Sequence, residues 1–315
     1  MAAIITVTLN PAIDKLTSAP VLIPEKKLRC SEPIFEPGGG GVNVARAIKK
    51  LGGNALALYL AGGHTGHFFN QMLREEKVET LVTETHAYTR ENLIVMETAS
   101  DQQYRFGMPG PHIREQEWQD CLNNIEIQTG VEFIVASGSL PPGVPTDIYA
   151  RIAWIAKKKK ARLIVDTSGE ALKQAVQEGV YLVKPNLGEL SSLAGKVELQ
   201  IESVDDVARE IISAGKCEVI IVSMGPTGAM LVTKDLALQI VPPSVKRKST
   251  VGAGDSMVAG IVLYLEAKKT LTDAVQYGVA CGTAATMNAG TQLCRKEDVE
   301  LLYKLIRGKS PLPIL

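Results

Sequence analysis

Five cysteines occur in the chain, at 30, 121, 217, 281 and 294, and no pair has CxxC spacing. The odd count and wide spacing exclude a zinc ribbon or a disulfide framework, and reduced thiols in a cytosolic protein are expected. Histidine is scarce too. His64 and His67 have the spacing of half a metal site on a helix, but no further His or Cys cluster stands near them. A surface or loop role is the expectation. Excess charge of either sign is missing: Lys+Arg and Asp+Glu both number 34, and the pI is near 6.9. That removes any global electrostatic case for a nucleic-acid or membrane-surface partner, while a few local cations could still bind an anionic substrate. No apolar run approaches a membrane span. The opening MAAIITVTLNPAID lacks a basic segment and is too briefly apolar for a secretory signal. Repeats, low-complexity segments and dividing linkers are absent as well.

What the chain has is apolar bulk. At 315 residues and 45% hydrophobic it can bury a full core, as one large domain with at most a small appendage. Short apolar runs at 3–9, 55–60, 132–136, 162–166, 180–184 and 218–223 read as buried strands. Helical patterns at 42–51, 66–77, 114–127, 146–159 and 203–214 lie between many of them. This alternation predicts an α/β fold with a mainly parallel sheet covered on both faces. Lys157 to Lys160 closes one helix, where lysines suit the negative end of the dipole. Residues 228–241 read as a hairpin and 254–308 as three helices. Two stretches, 20–36 and 91–107, read as strands outside the alternation. They predict a small β-sheet that must cover an active site or a partner subunit, since it cannot bury both faces alone.

Four segments carry the chemistry. In STVGAGDSMVAG, residues 249–260, a glycine-rich turn enters a helix, and Gly252, Ala253 and Gly254 leave backbone N–H groups free for an anion. Asp255 follows directly. On spacing alone a helix cap and a proton-accepting base fit it equally well. In EPGGGGVNVARAIKKLGG, residues 36–53, four glycines precede an amphipathic helix. A dinucleotide-binding turn is the rival there, but position 44 of the would-be GxGxxG is valine. In VKPNLGEL, residues 183–190, Lys184 ends a strand and Asn186 and Glu189 begin a helix. The pair could hold waters of a magnesium ion, yet taken alone it reads as a simple helix start. VSMGPTGAM, residues 222–230, is a turn that could wrap a nucleotide. Asp14, Asp166, Arg90, Lys27 and Arg29 are further polar residues near strand ends or in the small sheet.

In this order the pieces resemble the PfkB, or ribokinase-like, family of carbohydrate kinases, and the resemblance covers essentially the whole chain. One family signature fits Gly38 to Gly62, with Asn43, Ala45 and Gly52; the other fits Ser249 to Gly260. Asn186 and Glu189 match the family's NxxE motif. TLNPAID at 8–14, SGSLPPGVP at 137–145, VDTSGEAL at 165–172 and KPN at 184–186 resemble its phosphosugar branch. The GGGG run is similar to that of the branch's fructose-6-phosphate kinases, whereas the fructose-1-phosphate enzymes usually carry a lysine at the third position.

The resemblance implies a three-layer α/β/α domain with a small β lid at about 20–36 and 91–107. It also implies glycolytic transfer of the ATP γ-phosphate to the C1 hydroxyl of fructose 6-phosphate. Fructose 1-phosphate and tagatose 6-phosphate remain alternative substrates. Asp255 matches the catalytic base, and Gly252, Ala253 and Gly254 its anion hole. Asp14, Gly39, Asn43, Arg90 and Ser139 match sugar-phosphate contacts, and Lys27 a lid residue that reaches a neighbouring subunit's site. Lys184 and Asn186 match ATP-phosphate and Mg2+ positions, with Asn186 and Glu189 holding the metal through water. Ser223, Gly225 and Gly228 match the nucleotide loop. A monovalent-cation (K+) loop maps to Ser249, Val251, Ala285, Asn288, Gly290 and Gln292, mostly through backbone carbonyls; Gln292 stands where arginine is expected. A homodimer through the small sheet is also implied. A dehydrogenase and a non-catalytic nucleotide-binding regulator are the competing readings. The first would need a GxGxxG helix near the first strand, and the second would tolerate loss of Asp255.

Overall fold

The computed structural model describes residues 2–215 and 217–308. Thirteen strands and ten α-helices follow one another in these residues. The strands are β1 (Ile4–Thr8), β2 (Ala12–Ala19), β3 (Ile34–Gly38), β4 (Leu56–Gly62), β5 (Glu79–Thr85), β6 (Arg90–Glu97), β7 (Gln102–Phe106), β8 (Phe133–Ser137), β9 (Arg162–Asp166), β10 (Val180–Val183), β11 (Cys217–Ser223), β12 (Ala229–Val232) and β13 (Ala237–Ile240). The helices are α1 (Gly40–Lys50), α2 (Gly63–Glu75), α3 (Glu115–Glu126), α4 (Ile148–Lys159), α5 (Gly169–Glu178), α6 (Leu187–Leu193), α7 (Val204–Ser213), α8 (Ala253–Glu266), α9 (Leu271–Thr286) and α10 (Lys296–Gly308).

Nine strands form one sheet in the order β13-β12-β11-β10-β9-β8-β1-β4-β5. All neighbours from β11 through β5 are parallel, and β12 and β13 add an antiparallel hairpin at one edge. Alternate residues of each central strand enter opposite cores. Phe133 and Val135 pack with α1, α8 and α9 residues, while Ile134 and Ala136 pack with α3 and α4 residues. A strand buried on both faces must be apolar throughout, which is why these runs do not alternate with polar residues. None of the described helices is long and apolar enough to cross a membrane.

The second sheet runs β3-β2-β6-β7. Its centre is a parallel pairing of β2 with β6, in which Ala12 to Ala19 face Arg90 to Glu97 residue for residue. Here the sequence reading needs correction. Of the stretch 20–36 only the end, from Ile34, is strand, and residues 20–33 form no strand. Pro20, Pro24 and Pro33 explain this, because each lacks the N–H a ladder requires. The missing strand is supplied by Ala12–Ala19. Strand β5 and helix α5 were also not anticipated; β5 is a polar edge strand, ETLVTET, without a continuous apolar run.

Candidate active site

The parallel strands end along one edge, and the candidate residues collect there. Lys184 immediately follows β10, Asp166 ends β9, and Ser137 ends β8 in register with Asp166. Two helix N-termini point into the same edge. Helix α1 starts after Gly39, whose φ of 111° is open to glycine but strained for other residues. The backbone N–H of Val42 in its first turn donates to Thr8 Oγ1 at 2.7 Å, tying the helix start to the end of β1. The glycine run also permits close packing: a Cβ on Gly40 would collide with Ser137 Oγ, and one on Gly38 with Asp14 Oδ2.

Helix α8 starts after Gly252, which is left-handed with φ 71°, and no side chain caps it. Its first N–H groups and the helix dipole therefore remain available to an anion. A Cβ on Gly254 would stand 3.4 Å from Lys184 Nζ, so the ammonium borders this cradle. Asp255 is in the first turn of α8, and its Oδ2 accepts a 2.9 Å hydrogen bond from Asn43 Nδ2 in the first turn of α1. Desolvation raises its pKa to about 7, helped by the negative charge of Asp166 and opposed by the Asn43 bond and by Lys184. Burial disfavours the Lys184 ammonium. The Asp166 carboxylate, 3.2 Å away, outweighs that effect, so the net shift is upward and the amine stays charged.

The small sheet presents a second group. Asp14 on β2 lies opposite Asn92 on β6, and Asn92 Nδ2 donates to Asp14 Oδ1 at 2.8 Å. Burial pushes the Asp14 carboxyl up, while the Asn92 bond and the Arg90 charge pull it down. Arg90 donates to the carbonyl oxygens of Met108, at 2.8 Å, and Asn10, at 3.0 Å. Its Nε is buried with no protein partner among the described residues. Asn10 Nδ2 in turn donates to Ser139 Oγ at 3.0 Å, which ties Ser139 to the same group. Lys27 is different: it is exposed in the strandless stretch after β2.

Asn186 and Glu189 form a reciprocal cap on α6, each side chain accepting the other's backbone N–H at 2.9 Å. The simple helix-start reading is thus realised in the structure. The cap uses Glu189 Oε2, which leaves the other carboxylate oxygen for a hydrated ion. Ser223 pairs with Asn186 through an isolated parallel bridge, and its N–H donates to the Pro185 carbonyl at 2.9 Å. Gly225 and Gly228, both at positive φ, turn the chain from β11 into β12. Among the described residues no group of three or more His, Cys, Asp or Glu could hold a metal.

The segments carrying Ser249 and Val251 and carrying Ala285 to Gln292 meet where the N–H of Ser249 donates to the Thr286 carbonyl at 3.3 Å. Asn288 Nδ2 donates to the Leu293 carbonyl at 3.1 Å, and the N–H groups of Asn288 and Gln292 close turns on Ala285 and Ala289. Gly290 lies against Leu16 of β2. The Gln292 side chain accepts from Arg295 Nη2 at 3.5 Å.

Several residues of the site were not anticipated. Asn92 stands two residues from Arg90 on the same strand face, so period-2 alternation could have found it. Arg105 on β7 donates to Thr250 Oγ1 at 3.3 Å, and Glu36 on β3 accepts from Thr291 Oγ1. Both join the small sheet to the glycine loop and its neighbour, and neither pairing has a local signal.

The pfkB family carbohydrate kinase model matches residues 7–298. The chain is 46% identical to the ATP-dependent 6-phosphofructokinase isozyme 2 of Escherichia coli over 96% of this chain and 98% of that one. It is 41% identical to the isozyme 2 of Mycobacterium tuberculosis (96% and 89%) and 33% identical to the 1-phosphofructokinase of Bacillus subtilis (96% and 98%). Solved structures of phosphofructokinase-2 from Escherichia coli superpose on 98% of this chain and 100% of theirs. The complex with potassium gives a TM-score of 0.93 at 46% identity, the complex with fructose-6-phosphate 0.92 at 44%, and the tetrameric inhibited form 0.92 at 44%. The chain belongs to the pfkB family of carbohydrate kinases.

Proposed function

We propose that this chain transfers the γ-phosphate of ATP to the C1 hydroxyl of fructose 6-phosphate, giving fructose 1,6-bisphosphate and ADP. The observation that carries the reading is the Asp255 carboxylate, held by Asn43 beside an uncapped helix N-terminus and raised to about 7. A base with a pKa near the working pH combines a populated basic form with real proton affinity. Asp255 takes the hydroxyl proton as the sugar oxygen bonds to phosphorus and the bond to ADP breaks. The N–H groups at Gly252 to Gly254 and the Lys184 ammonium face the charge on the transferring phosphoryl oxygens.

Asp14, Gly39 and Asn43 hold the sugar, and Arg90 and Ser139 hold its phosphate. The buried Nε of Arg90, without a protein partner among the described residues, supports that assignment. Ser223, Gly225 and Gly228 line the nucleotide. A magnesium ion, when bound, offsets charge on the nucleotide phosphates. Asn186 and Glu189 would hold it through water, and the carboxylate oxygen left free by their cap fits that role. Ser249, Val251, Ala285, Asn288, Gly290 and Gln292 would hold a monovalent cation such as K+. Their oxygen donors carry no acid, which suits a singly charged ion.

The small sheet serves as the lid of a single kinase domain and as the contact with a second copy. Val21, Ile23, Tyr104 and Phe106 are exposed large apolar residues on or beside it, and Tyr104 and Phe106, the latter at 46%, share the face opposite Asp14. Such a surface favours burial against its own copy, and this arrangement would bring Lys27 to the partner's site. Val95 of β6, which pairs with Tyr104, is buried within the chain.

Incubation with ATP, magnesium and a panel of sugar phosphates tests the assignment. Fructose 6-phosphate should be the best acceptor; a clear preference for fructose 1-phosphate, tagatose 6-phosphate or an unphosphorylated sugar would overturn it.

A further inference from the structure

Arg46 on α1 is 2% exposed, and each of its three guanidinium nitrogens has a partner. Nε and Nη2 grip the Glu76 carboxylate at the end of α2 at 2.8 and 2.5 Å. Nη1 donates to the Pro37 carbonyl at 2.6 Å and, over a longer 3.4 Å, to Asn43 Oδ1. Arg46 and Asn43 are three residues apart, so they share a face of α1. Two consequences follow. The Asn43 amide has one orientation in which its oxygen meets the guanidinium and its nitrogen meets the Asp255 carboxylate. The flipped amide would set NH2 against guanidinium and oxygen against carboxylate, losing both bonds. Pro37 is the penultimate residue of β3, the strand through which the small sheet joins α1. One buried cation therefore fixes both an amide that touches Asp255 and the root of the small sheet.

We propose that Arg46 is a positioning residue for phosphoryl transfer, acting through the Asn43 amide on Asp255, with Glu76 as its anchor. This rests on the reading of Asp255 as the base. The planar fork matters as well as the charge: an ammonium cannot serve Glu76, Pro37 and Asn43 together in that geometry.

The test is a double-mutant cycle on the full-length protein with ATP and fructose 6-phosphate. Arg46→Met should lower kcat about tenfold or more while the KM for ATP moves less than about twofold. In an Asn43→Ala background the same change should cost less than about twofold, because the residue through which it acts is gone. Glu76→Gln, which keeps the arginine charge and weakens its anchor, should reproduce a smaller part of the kcat loss with the same non-additivity. It also serves as the readout if Arg46→Met fails to fold. Additive losses, or a loss confined to thermal stability with kcat intact, would overturn the proposal while leaving the kinase reading in place. A wild-type protein with no transfer to any sugar phosphate would overturn both.

Discussion

Asn43 and Asp255 are 212 residues apart in the chain, and their side chains meet at 2.9 Å where the N-termini of α1 and α8 converge. The bond joins the two glycine-rich segments into one site. It also limits how far desolvation lifts the Asp255 carboxyl, because a donor to the charged form favours that form.

Asp255→Asn should keep the fold and the crevice but remove the proton acceptor. General-base catalysis contributes about 100- to 10,000-fold, so kcat should fall by that order while nucleotide affinity changes little. Steady-state kinetics alongside ATP titration checks this, and turnover within a few-fold of wild type would sink the role.

The same residue sets a pH dependence. Transfer needs the carboxylate, so kcat should fall on the acid side through about pH 7. Stability runs the opposite way. A carboxyl with an ordinary value of 3.8 and a folded value of about 7 binds its proton more tightly when folded. Its contribution is complete below pH 3.8 and is lost as pH rises through about 7. Asp255→Asn, which does not titrate, should gain thermal stability relative to wild type between pH 5 and pH 8. An unchanged Tm difference across that interval would contradict the raised value.

Arg90→Ala should raise the KM for fructose 6-phosphate much more than that for ATP. Hydrogen bonds to charged groups are worth about 1.5–3 kcal/mol, so a rise of roughly 10- to 100-fold is expected. Equal rises for both substrates would place Arg90 in general architecture instead.

Burial of the small sheet's apolar face against a second copy predicts that dilution lowers specific activity and that fructose 6-phosphate opposes it by mass action. Phe106→Asp, at an exposed position on the face opposite Asp14, should shift the protein toward monomer in sedimentation while leaving the main sheet folded. A wild-type monomer with full activity at assay concentration would rule the dimer out.

The sequence by itself determined whatever depends on near neighbours. The glycine turns before α1 and α8, the Asn186–Glu189 cap, the apolar runs of the central strands and the three closing helices all rest on φ preference, capping or periodicity within about a dozen residues. The order of the motifs was equally legible, and with it the family. Tertiary structure decided the rest. That β2 rather than residues 20–33 lies in the small sheet follows from its pairing with β6, some 78 residues away, which no local pattern encodes. The same holds for the atoms around Asp255. Asn43, Lys184 and Asp166 come from three separate segments, and their charges and the loss of water act on the carboxyl only once the sheet has brought those segments to one edge. Desolvation is a property of the packed interior, so the residue type could be read in advance but its proton affinity could not.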